Sequence, residues 1–212
     1  MEENTPPAIQ PRWGSGDPEK DKTGSHEMIT AQACSILATD KGFFSKDAIE
    51  SFAMALTISL ASIQPDKDEV GTLFAGHFYH AIDGDNYLGS KSNTALTNCR
   101  SHYNAAVSAA KRNDKAKAME EIGRALHYLQ DAGQPHHAAN ITVANISHKL
   151  FEDQIDANID TYINLITSVN NHNFHYSTAQ YTYSSAAANS VDYLVKSTSI
   201  IAYGYRTEVN NA

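Results

Sequence analysis

His127 and Asp131 stand four residues apart, and so do His148 and Glu152. On a helix that spacing stacks two side chains on one face, about one turn apart. An imidazole and a carboxylate placed in this way make a good pair of zinc ligands. His137 falls in the turn between the two pairs, six residues past Asp131. Three ligands from two helices and their connection could therefore converge on one metal, and the others on a second. A single pair of this kind is more often a surface hydrogen bond. Two pairs flanking a Pro135-His136-His137 turn carry the metal reading further than either pair alone.

The elements that must position these residues read as helices. One starts at about Ser25, a good N-cap, with Met28, Ile29, Ala33, Ile36 and Leu37 at helical spacing. Ser45–Ser62 reads as a second, broken by Gln64-Pro65-Asp66. Phe74–Gly89 is aromatic and Gly-rich, which predicts loop with short helical pieces. Ala95–Arg112 and Ala116–Leu129 are Ala-rich and helical, the latter closed by Gly133–Pro135. Ser147–Ile166 and Ser184–Tyr205 complete the set, with a loop at Asn170–Tyr176. Strand alternation and internal repeats are absent. The expectation is an all-α fold, a single compact multi-helix domain of six or seven helices over residues 13–212. Residues 1–12 hold three of the six prolines and read as a flexible leader or pro-segment, without the basic start and apolar stretch of a signal peptide.

Composition narrows the function. The chain has 212 residues, 42% of them hydrophobic, enough to bury its own core. It has no run of ~18 apolar residues that would span a membrane. A net charge of −8 argues against a nucleic-acid binder with a basic surface. It does not argue against an enzyme that handles phosphate through bound metal, because the metal supplies the positive charge. Cys34 and Cys99 could pair or could be two buried thiols, and neither has a second cysteine nearby to build a thiolate zinc site. His80, His102, His172 and His175 match no ligand spacing and read as surface or loop residues. His136 reads as a supporting or exposed group. There is no Gly-rich phosphate loop and no Gly-x-Ser-x-Gly elbow.

The segment Leu126–Asn140, LHYLQDAGQPHHAAN, resembles the signature of the bacterial zinc-dependent phospholipase C family. That family includes the phosphatidylcholine-preferring phospholipases C of bacilli and the catalytic domain of clostridial alpha-toxins. Further matches fall in the same order. Trp13 precedes His26, which lies within TGSHEMITAQACSIL. Gly76-His77-Phe78-Tyr79 resembles the family's His-Phe-aromatic segment, and His148–Glu152 its His-x-x-x-Glu motif. The resemblance runs from Trp13 to about Glu152.

The resemblance implies an all-α fold with three zinc ions (Zn2+). One would take the Trp13 backbone amine and carbonyl with His26; a second, Asp66, His77 and His127; the third, His137, His148 and Glu152. Asp131 would bridge the first two. It implies a phospholipase C, a phosphoric diester hydrolase that splits phospholipid into diacylglycerol and phosphorylated headgroup through a zinc-activated water, with Asp66 as catalytic carboxylate. Asp68 stands two residues on as the alternative to Asp66. In the family the tryptophan amine is free, so cleavage after Arg12 is expected to activate the chain. Phe74 and Lys67 fall at substrate-binding positions. A lysine there repels a quaternary ammonium, which leaves an anionic or neutral headgroup. The partners implied are a phospholipid at a membrane or micelle surface and no nucleic acid. The protein is expected to be secreted, to the extracellular space or periplasm, and monomeric. The alternatives are a zinc-dependent single-strand nuclease of related fold and a catalytically impaired zinc-binding homologue.

Overall fold

A computed structural model of the chain describes residues 24–41, 48–69, 71–142, 144–170 and 190–211. Six helices of 14 residues or more dominate the described residues: α1 (Ser25–Lys41), α2 (Ala48–Ala61), α4 (Ala95–Lys111), α5 (Lys115–Ala132), α7 (Ile146–Asn170) and α8 (Val191–Gly204). Three short helices accompany them: α3 (Gln64–Asp68), α6 (Pro135–Ala138) and α9 (Arg206–Asn210). A 3₁₀ segment covers Gly71–His77. The described residues contain no strand, and none of their helices is long and apolar enough to cross a membrane. The fold is all-α.

Local chemistry sets these boundaries. Thr94 caps α4: its hydroxyl accepts from the Thr97 amide, and the Thr97 hydroxyl accepts from the Thr94 amide at 2.8 Å. The Asp114 carboxylate caps α5 by accepting from the Lys117 amide at 3.1 Å. Between the two helices Asn113 takes φ 61°, a left-handed conformation that asparagine tolerates. That tight turn folds α4 back along α5 in a helical hairpin.

Two expectations are corrected. Gln64-Pro65-Asp66 opens α3 rather than simply ending α2, because proline in the first turn removes an amide that would be unsatisfied there anyway. The helix expected to end at Leu129 runs on to Ala132, which takes Asp131 into the helix. Residues 45–47, 171–176 and 184–189 of the expected elements lie outside the described residues.

The core beneath the site is made by Ala95, Leu96 and Cys99 of α4, Ala125, Tyr128 and Ala132 of α5, Val195 of α8, and Tyr79. The chain following the 3₁₀ segment is pinned from several sides. The Phe78 carbonyl accepts from the Ala95 amide at 3.0 Å, the Ala81 amide donates to the Ala138 carbonyl at 3.0 Å, and the Ser199 hydroxyl donates to the Tyr79 carbonyl at 3.2 Å. His77 therefore sits at the end of a segment locked against α4, α6 and α8.

Candidate metal centre

Gly123, His127 and Asp131 form one line along α5, four residues apart. A Cβ on Gly123 would lie 2.4 Å from the Ile58 carbonyl oxygen and 2.5 Å from the Ala61 Cβ. Only glycine lets α2 come this close. One turn along α5, the Ser62 carbonyl just past α2 accepts from His127 Nδ1 at 2.7 Å. That bond fixes the proton on Nδ1 and leaves the Nε2 lone pair turned inward.

His127 Nε2 then lies 2.9 Å from His77 Nδ1, 3.1 Å from Asp131 Oδ2 and 3.5 Å from Asp66 Oδ1. His77 Nδ1 is 2.8 Å from Asp131 Oδ2 and 3.7 Å from Asp66 Oδ1. Two ring nitrogens and two carboxylates thus face one point, where a single cation would satisfy all of them together. Phe74 stacks on the His77 ring, with centroids 4.2 Å apart and planes 7° from parallel.

Asp131 uses both its oxygens. Oδ2 meets His77 and His127, while Oδ1 lies 3.5 Å from His26 Nε2 and 3.4 Å from His137 Nδ1. His26, on α1, is oriented from behind: its Nδ1 lies 2.6 Å from Gln130 Oε1, and the Gln130 amide donates to Thr30 at 2.8 Å.

The second group uses α6 and α7. His148 Nδ1 donates to the Ile141 carbonyl at 2.7 Å, and His148 Nε2 lies 2.7 Å from Glu152 Oε1. His137 Nε2 is 3.7 Å from the same oxygen. Gln134 caps α6 by accepting from the His136 and His137 amides, and its amide nitrogen donates to Glu152 Oε1 at 3.4 Å.

Ligand atoms within each of the groups His26/Asp66/His127, His77/His127/Asp131 and His137/His148/Glu152 lie within 4.8 Å of one another. His26, His77, His127, Asp131, His137, His148 and Glu152 are each no more than 2% exposed. Burying so many ionisable groups is costly unless a charge of opposite sign joins them. Their proton affinities show the same demand. Burial depresses His77, yet Asp131, Glu69 and Asp66 push it up to about 10. His137 rises to about 9 against burial, through Asp131 and Glu152. Glu152 falls to about 2 and Asp131 well below the carboxylate range, both held ionised against burial by the histidines around them. These nitrogen and oxygen donors fit zinc.

Of the other expected site residues, Trp13 lies outside the described residues. Lys67 is exposed on α3. Asp68 pairs with Arg124 at 2.6 Å on the surface, away from the cluster that includes Asp66. His136 is fully buried and stacks on His148 with centroids 4.9 Å apart, so the exposed alternative for it fails. His102 belongs to α4, with its Nδ1 2.6 Å from Glu121 and its ring stacked on Tyr128. His80 meets Asp83 at 2.8 Å in a surface loop. Cys34 and Cys99 are two buried free thiols. The sequence pattern missed Gln130, Gln134 and the Ser62 carbonyl. Only Gln134 left a local trace, as the residue before a helix-opening proline.

No protein-family model matches the chain. It is 34% identical to a phospholipase C of Clostridium novyi over 164 residues, covering 69% of this chain and 40% of that protein. A phospholipase C of Bacillus cereus is 29% identical over 73% of this chain and 56% of its own length. One of Clostridium perfringens is 32% identical over 75% of this chain and 44% of its own. The chain thus spans about half the length of these curated relatives, 40 to 56% of them. Among solved structures, the alpha-toxin of Clostridium absonum superposes with a TM-score of 0.71 at 24% identity, over 90% of this chain and 55% of that one. An alpha-toxin from an avian strain of Clostridium perfringens gives 0.65 at 25% identity, over 94% and 55%.

Proposed function

We propose that this chain, which belongs to the bacterial phospholipase C/alpha-toxin family, is a zinc-dependent phosphodiester hydrolase that splits a phospholipid into diacylglycerol and a phosphorylated headgroup. The observation that carries this reading is the convergence of buried His, Asp and Glu donors around Asp131. His77, His127, Asp66 and Asp131 would hold one zinc, and His137, His148 and Glu152 another. His26 and Asp131 would hold a third, together with Trp13 once cleavage after Arg12 frees its amine; an amide nitrogen has no free lone pair to offer. When bound, zinc supplies Lewis acidity toward water and toward phosphate oxygens.

Asp66 has the geometry for two tasks. Its Oδ1 faces the two histidines, while its Oδ2 is buried with no hydrogen-bond partner among the described residues. That second oxygen orients the attacking water and accepts its proton as the oxygen–phosphorus bond forms. The glycerol–phosphate bond breaks, and the departing diacylglycerol oxygen takes up the proton. Lys67, adjacent to Asp66 and exposed, repels a quaternary ammonium and favours a neutral or anionic headgroup. The catalytic unit is residues 13–212, and the protein acts outside the cell or in the periplasm.

Phosphorus NMR of mixed micelles incubated with the purified chain tests the reading. Release of phosphorylated headgroup that stops with chelator and resumes with zinc is expected. Inert micelles together with zinc-dependent breakdown of single-stranded DNA or RNA would replace it with the nuclease reading.

A further inference from the structure

We infer that Glu69, tethered by Tyr128, is a positioning residue that holds the His77 Nε2 proton and so turns His77 Nδ1 toward the metal. This rests on the reading of the cluster as a zinc site. His77 Nε2 lies 3.3 Å from Glu69 Oε2. Both atoms are buried, and neither has a hydrogen-bond partner among the described residues, which leaves each as the nearest opposite charge the other can turn to. The Tyr128 hydroxyl donates to the other carboxylate oxygen, Oε1. Tyr128 is 1% exposed and belongs to the core, so the carboxylate is anchored from a fixed point. The Glu69 backbone is fixed as well, since its amide donates to the Pro65 carbonyl at 2.9 Å at the end of α3.

Asp66 and Glu69 stand three positions apart, so one short turn brings a carboxylate to each nitrogen of the same ring. Asp66 Oδ1 is 3.7 Å from Nδ1, and Glu69 Oε2 is 3.3 Å from Nε2. The contrast with the other imidazoles is informative. His127 and His148 donate to backbone carbonyls, and His26 faces an amide oxygen. At His77 alone of these four the outer partner carries a negative charge. A carboxylate behind a ligand histidine fixes its tautomer and makes it a more basic donor. The metal that meets His77 should therefore be gripped more tightly than neutral supports would allow.

The test is zinc competition against a chelator of known affinity on the whole chain, with Glu69→Gln, Glu69→Asp and Tyr128→Phe. Glu69→Gln is expected to weaken one zinc of the set roughly 10- to 100-fold and leave the others unchanged. Glu69→Asp, which keeps the charge, should fall between it and the parent, and Tyr128→Phe should shift the same zinc by less. In a His77→Asn background, Glu69→Gln should add no further loss. Unchanged affinities in both Glu69→Gln and Tyr128→Phe would overturn the inference while leaving the zinc reading intact. Equal weakening of every zinc would overturn it as general damage to the fold. A parent chain that binds no zinc would overturn this inference and the zinc reading together.

Discussion

His127 Nε2 and His77 Nδ1 lie 2.9 Å apart in the buried interior, with Asp131 Oδ2 at 3.1 Å from one and 2.8 Å from the other. His127 has its proton committed to the Ser62 carbonyl, so its inward nitrogen can only accept. A single proton on His77 cannot serve His127, Asp131 and Asp66 together. A divalent cation would, and four candidate donors from α3, the 3₁₀ segment and α5 face one another there.

Replacing Asp66 with asparagine removes the charge and keeps the shape. The expected loss is about 10²- to 10⁴-fold in turnover, the range for a general base, at zinc concentrations that keep the weakened site filled. Headgroup release measured alongside zinc analysis of the same sample checks this. Full activity in Asp66→Asn would remove Asp66 from its role.

Gly123→Ala sets two effects against each other. Helix propensity favours alanine by about 1 kcal/mol. The new methyl would meet the Ile58 oxygen at 2.4 Å and the Ala61 Cβ at 2.5 Å, and overpacking of this kind costs about 1–3 kcal/mol. A lower melting temperature is expected, with weaker zinc binding as α2 carries the Ser62 carbonyl away from His127. A melting temperature above the parent's would mean that the helices are not this close.

The metal-free chain should be most stable near pH 6.5. His77 and His137, raised to about 10 and about 9 from 6.5 by their carboxylate partners, contribute fully below pH 6.5 and lose that contribution as pH rises through those values. On the acid side His136, lowered to about 4 by burial and by His148 and His137, must take up a proton where it is disfavoured. Glu152, lowered from 4.5 to about 2, gives up its contribution in the same direction. Thermal melts of chelator-treated protein across pH should trace this peak. Saturating zinc should flatten the alkaline side, because zinc replaces the protons on His77 and His137.

The long helices were legible because their apolar residues recur at helical spacing, and the histidine–carboxylate pairs were legible for the same reason: His127/Asp131 and His148/Glu152 are each one turn apart. Placement of Asp66 in the cluster and Asp68 outside it depended on Arg124, a residue of α5 that captures Asp68 from a distance in sequence. The supports of these imidazoles were hidden in the same way. The Ser62 carbonyl reaches His127 only because Gly123 admits α2, and Glu69 reaches His77 only because Tyr128 holds it. For His136 the sequence leaves a supporting and an exposed role open, and packing decides for the first: its ring is buried against His148 and Phe151.

A native mass spectrum of the purified chain tests the central claim, that this buried cluster is a zinc site. It reads zinc count and N-terminus in one measurement. Two tightly bound zinc ions are expected while residues 1–12 precede Trp13, and three once the chain begins at Trp13. A folded chain that retains no zinc in either form would contradict the account.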